Sequence, residues 1–235
     1  MKAVYFKEMK SYFYSPVTYA MTGLFLLLMS IFFYIYNLRG SDPNFGNTLQ
    51  MGEYFLIFFA PIITMKLLAE EKRNKTEVLL LTSPTSVTSI IIGKLFAALT
   101  IFFMMTGITV IYPVLLSFFG NLPSELIIGN YIGFLLIGML FITIGLLASS
   151  LSDSQSLSAV VGIVSLFVLW FAGQLGTSMG GFFGKILTWI SPIYRYSSFA
   201  AGLIKLSEII FFISLSAVFV YITIVNTERK RWKQG

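Results

Sequence analysis

Six long stretches of the chain carry almost no charge, and they set its architecture. They run approximately Val17–Asn37, Gly52–Leu68, Ile90–Phe119, Leu126–Ser149, Ser156–Thr177 and Glu208–Asn226. A helix rises about 1.5 Å per residue, so about 20 apolar residues cross the ~30 Å hydrocarbon core of a bilayer. The pattern predicts an all-α integral membrane protein with six transmembrane helices. The third stretch exceeds what a membrane requires, and Pro113 near its end predicts a kink. The second is short and contains Pro61. The first follows lysines, as a signal peptide would. Its apolar run is too long for one, and only LRGSDPN follows it, without a small-x-small cleavage site, so it is read as a retained span.

Two segments outside the spans have patterns of their own. With successive helical residues turned by about 100°, Tyr5, Phe6, Met9, Tyr12 and Phe13 fall within an arc of about 120°, and Lys7, Lys10 and Ser11 lie outside it. This predicts an interfacial helix over residues 1–15, ended by Ser15-Pro16; a plain lead-in to the first span is the alternative. Residues 180–205, GGFFGKILTWISPIYRYSSFAAGLIK, are too apolar for a solvated loop, yet they carry Lys185, Arg195 and Lys205 and are broken by Pro192. Either two short helices re-enter the bilayer, sheltered by protein, or one amphipathic helix lies on the surface.

Composition narrows the function. Charged residues make up 11% of the chain, against about 25% in a soluble domain, so the lipid bilayer must be its solvent. Cys and His are absent, which removes disulfides, Cys/His metal sites and the usual general base. The net charge of +6 does not imply nucleic acid, because the charges are distributed by topology. With six spans, twelve of the sixteen Lys and Arg residues share the side of the two termini, which predicts cytoplasmic termini.

Several chemistries lack their materials. The string IIIGKLF at Ile90–Phe96 lacks the upstream Gly and the following Ser/Thr of a phosphate-binding loop, so the chain is not expected to hydrolyse ATP itself. No Asp, Glu, Lys or Arg falls at the centre of any expected span, which disfavours an ion-coupled carrier. No cofactor is implied.

One stretch breaks the pattern. From Lys66 to Glu77, seven of twelve residues are charged, of both signs. Read as a helix, Glu71 and Lys75 are four apart in the favourable order, and Arg73 and Glu77 in the reverse. A solvated loop explains the basic residues but not Glu70, Glu71 and Glu77, whereas a docking surface uses both signs to set register. On the residues alone both readings stand.

The longer string AEEKRNKTEVLLLTSPTSVTSIIIGKLFAAL resembles the signature of ABC-2 type transporter permeases, in which an acidic-basic cluster, T-x-E-x-L-L and a Pro precede a G-K that opens the third span. The matching residues are Glu70, Glu71, Lys72, Thr76, Glu77, Leu79, Leu80, Pro84, Gly93 and Lys94. The resemblance covers the whole chain as one transmembrane domain and is closest to the small gliding-motility-type permeases. Lys75 departs from the family's usual Gly, and Arg195 stands where relatives often place His.

The resemblance implies a permease in the cell inner membrane that works with a separate ABC ATPase subunit and a second permease subunit, identical or related. Residues 69–86 would be the cytoplasmic coupling loop, with Glu70, Glu71, Lys72, Arg73, Thr76 and Glu77 docking the ATPase. Trp189, Tyr194, Arg195 and Phe199 are candidates for an outer gate, and Gln174, Thr177 and Ser178 for lining a path. Gly129/Gly133 and Gly176/Gly180/Gly184 have the spacing of close helix approach. A membrane anchor that passes ATPase motion to a partner protein, without transport, is the competing function.

Overall fold

A computed structural model describes residues 1–40, 44–76, 85–118 and 124–234. They form helices α1 (Lys2–Phe13), α2 (Pro16–Phe33), α3 (Gly46–Thr64), α4 (Lys66–Arg73), α5 (Val87–Ile108) and α6 (Ile111–Ser117), then α7 (Ser124–Leu151), α8 (Gln155–Met179), α9 (Gly181–Ile190), α10 (Pro192–Ala200) and α11 (Leu206–Gln234). A π-helical turn, Tyr34–Arg39, extends α2. Among the described residues six helical stretches are long and apolar enough to cross a membrane: Pro16–Arg39, Gly46–Arg73, Val87–Ser117, Ser124–Leu151, Gln155–Met179 and Leu206–Arg229.

These six coincide with the six expected stretches. The largest shift is in the second, which begins at Gly46 rather than Gly52. Its first turns hold Asn47, Thr48 and Gln50, too polar to read as membrane. Protein covers part of that polarity, since buried Thr48 donates its hydroxyl to Asn37 Oδ1 at 2.8 Å. In the third span, helix α5 stops at Ile108 and α6 resumes at Ile111. Pro113 has no N–H for the Thr109 carbonyl and its ring crowds that group. Tyr112 N–H bonds it instead at 3.0 Å, tightening the turn.

Helix α7 runs through the centre, touching α3, α4, α5, α8, α10 and α11. It buries Phe134, Ile137, Leu140, Phe141 and Ile144, while α2, α8 and α11 are mostly exposed. In a bilayer such exposed apolar faces meet lipid or another protein. Asn226 Nδ2 of α11 donates to Ser150 Oγ of α7 at 3.0 Å, and α1 crosses the start of α5. Both chain ends, α4 and the α7–α8 turn therefore share one end of the bundle, called here the terminal end.

At the far end, residues 180–205 contain two short helices, not one. Gly180 has φ +59°, a backbone conformation that glycine supplies cheaply, and it reverses the chain. Helix α9 then runs back along α8, so close that a Cβ on Gly176 would lie 2.8 Å from Thr188 N. The hairpin turns at Ser191-Pro192, beside Gly173, and α10 returns along α7. There Phe199 fills the space over Gly133, where a Cβ would meet its own Cβ at 2.5 Å. Of the glycines singled out by spacing, Gly129, Gly133, Gly176 and Gly184 thus serve close contacts within this chain, and Gly180 serves the turn.

Candidate functional site

The charged cluster of the sequence resolves into a junction of α1, α4, α5 and α7. Helix α1 reaches α5 because Gly93 has no side chain: a Cβ there would lie 3.1 Å from the Met1 carbonyl and 3.2 Å from Val4 Cβ. Next to it, Lys94 is fully buried. Its ammonium donates to Glu8 Oε1 at 2.8 Å, Glu71 Oε1 at 2.8 Å and the Leu67 carbonyl. A lysine has three N–H donors, and all three are used. Glu71 Oε1 also accepts from Lys7 at 2.9 Å. Two acids and two bases thus cancel, with the most deeply buried charge touching both acids. Burial alone would lower the Lys7 ammonium, but the hydrogen bond and charge of Glu71, with Glu8 and Glu70 behind it, hold it above an ordinary lysine.

The other side of α4 is anchored to α7. Lys72 donates to the carbonyls of Ser150 and Ser152, at the helix C-terminus where a cation is favoured. Ser149 Oγ accepts the N–H groups of Leu68 and Ala69, both at 3.1 Å. On α1, the buried Tyr12 hydroxyl donates to the Ile63 carbonyl at 2.6 Å, and burial pushes that phenol well up. Tyr5, Glu8 and Tyr12 are therefore the inward stripe of α1, while Phe6 and Phe13 are exposed. The apolar arc read from the sequence divides between two environments, because an acid rather than an aromatic occupies its inner edge.

The expected docking residues divide as well. Glu71 and Lys72 are turned inward and occupied by their own chain. Glu70 is half-buried, and Arg73 and Thr76 are exposed. Glu77 lies outside the described residues, as do Leu79, Leu80 and Pro84. Of the gate candidates, Phe199 is fully buried, whereas Trp189 and Tyr194 are exposed. Arg195 lies 4.1 Å from the Phe211 ring centre and 5.0 Å from that of Trp189, and pairs with Glu208 at 2.7 Å, bolting the hairpin to α11. Gln174, Thr177 and Ser178 are exposed at the far end of α8, where the two hydroxyls bond back to the Gln174 carbonyl.

Two groups went unread in the sequence. Glu8 stands between Lys7 and Lys10 on a short helix, where it reads as a surface acid. Glu53 falls at the edge of the expected second span, but the helix begins seven residues before it and the side chain is 1% exposed.

An all-α bundle with six described stretches long enough to span a bilayer, and a charged junction at one end, defines a polytopic membrane protein. The chain belongs to the ABC-2 family of transporter proteins, whose family model matches residues 2–226, and it is an ABC-2 type transmembrane permease subunit. Permeases of this family work with an ABC ATPase subunit. A comparison with curated proteins finds no match.

Proposed function

We propose that this permease couples a separate ABC ATPase, docked on the terminal end, to the movement of a solute between two permease chains. The observation that carries the reading is the two-sided α4. Its inner side is fixed to α1, α5 and α7 through Lys94, Lys7 and Ser149, and its tip presents Arg73, Asn74, Lys75 and Thr76 outward. A push on that tip is delivered to three helices at once, which a solvated loop would not do. The terminal end is cytoplasmic in this reading, consistent with its twelve basic residues.

The second permease chain supplies the other wall of the path. The exposed α8 supports this, with an apolar groove of about 590 Å³ lined by Val164, Val168, Phe171, Leu175 and Leu187. Gln174, Thr177 and Ser178 stand at the far end of the same helix and would line the exit, with the α9–α10 hairpin as the gate over it. Purification of the tagged chain from its own membranes tests the reading. An ATPase subunit should co-purify, and the assembly in sealed vesicles should move solute only with ATP. Isolation of the chain without any ATPase contradicts it.

A further inference from the structure

Glu53 projects from α3 seven residues inside the start of its span, about 10 Å by helical rise. It is 1% exposed, and among the described residues its Oε1 has no hydrogen-bond partner. Across from it, on α10, Tyr196 is equally buried, and its hydroxyl also lacks a partner while lying within electrostatic reach of Glu53 and Tyr54. The Tyr54 ring stands edge-on to Trp170 of α8, whose indole N–H is buried without an acceptor. Native interiors satisfy nearly all buried polar atoms, so two unpaired buried oxygens on packed helices, one of them a carboxyl oxygen, ask for an explanation.

Among the described residues no cation supplies one. Among the helices packed on α3, α2 and α8 contain no Asp, Glu, Lys or Arg. The π-helical turn ends at Arg39, exposed at the far surface. Glu125, the single charged residue of α7, lies two turns farther out than Gly133, the residue under Tyr196. Arg195, the single charged residue of α10, is committed to Glu208. Among the described residues, the titratable groups within electrostatic reach of Glu53 are Tyr54 and Tyr196. A carboxylate buried in such surroundings has no counter-ion among the described residues, and an ionisable group kept inside a span marks an ion or proton site. At 1% exposure there is no room for an organic cation in this state, and a proton needs none.

We propose that Glu53, buried where α3 packs on α10, is a proton-binding site that this permease opens and closes as it cycles. In the closed state the carboxyl group is neutral. Separation of α10 from α3 admits water, the carboxyl O–H bond breaks, and the proton passes to a water molecule, leaving the carboxylate. Closure strips the water only after a proton has returned from it to the same oxygen. The cycling rests on the permease reading; the closed-state proton does not.

The test is infrared spectroscopy of the full chain in lipid nanodiscs near neutral pH, compared with Glu53→Gln. The wild type should show a carboxylic C=O stretch that shifts in D₂O and is lost in the variant, and Tyr196→Phe should shift its frequency. Wild-type and Glu53→Gln spectra that differ only in the carboxylate region overturn the site. If Glu53→Gln fails to insert, Glu53→Asp carries the test: a retained carboxylic band supports the site and its absence overturns it. With a bound ATPase, ATP should speed deuterium exchange of the band several-fold, and unchanged exchange overturns the opening. Failure of the permease reading is seen separately, as no ATPase binding with the band intact.

Discussion

Lys94 is tolerated inside a span because every proton on its ammonium meets an oxygen. Replacing it by Met leaves the largely buried Glu8 and Glu71 with only the exposed Lys7 as a counter-ion among the described residues. Breaking a buried pair in this way costs about 3–5 kcal/mol. Thermal unfolding in detergent should report a loss of that size, and replacing the two acids by Gln and Leu in the same chain should recover much of it. Tyr12→Phe removes one hydrogen bond, to the Ile63 carbonyl, and should cost about 1 kcal/mol in the same assay. Lys7 is held above the ordinary lysine value of 10.5, so its bridge to Glu71 should persist below that pH and fade only as the medium becomes more alkaline than its raised value. The sequence displayed Glu71 and Lys94 in one stretch, and from it both a docking surface and a solvated loop were open. What it withheld was Glu8. The acid that completes the network is eighty-six residues from Lys94, and only the crossing of α1 over Gly93 joins them.

Among the elements, the spans were the most legible and the far hairpin the least. Hydropathy marks a span because twenty apolar residues have no other stable place. Residues 180–205 offered two solutions of similar composition, and the choice between them was made by contacts. Gly176 and Gly184 let α9 lie against α8, and Gly133 makes the seat for Phe199. Gly133→Leu should displace α10, and protease nicking of the hairpin should then rise several-fold. Phe199→Ala empties a core position and should cost about 3–5 kcal/mol, so it cannot report on gating alone. Tyr194→Ala changes an exposed position and should leave stability within about 0.5 kcal/mol. If the hairpin gates the path, the Tyr194 variant nevertheless raises leak or basal ATP turnover. Unchanged leak and turnover in the stable Tyr194→Ala protein would remove the gate from this account. Glu53 escaped notice for a related reason. The polar first turns of α3 placed it at the edge of an expected span, whereas the folded helix starts earlier and carries it inside.

For the molecule as a whole, an even number of spans brings both termini to one end, and contacts between α1, α4, α7 and α11 show that end to be built as a unit. We propose that this end is cytoplasmic, as the distribution of lysine and arginine predicts. The natural chain has no cysteine, so single cysteines report on this directly. A probe that cannot cross the membrane should label an introduced cysteine at exposed position 185 in intact cells, and one at position 75 only after permeabilisation. The composition made the membrane readable, but not the use of each charge, since a lysine facing an acid of its own chain and one facing a partner look alike in one dimension. The division of the charged cluster into an anchored inner side and a free tip is therefore the central claim, and cross-linking from the tip tests it most directly. A cysteine at Thr76, in native membranes holding the whole assembly, should give a cross-linked product containing the ATPase, while one at Tyr194 gives none. No ATPase product from position 76, or an equal one from position 194, would contradict the account.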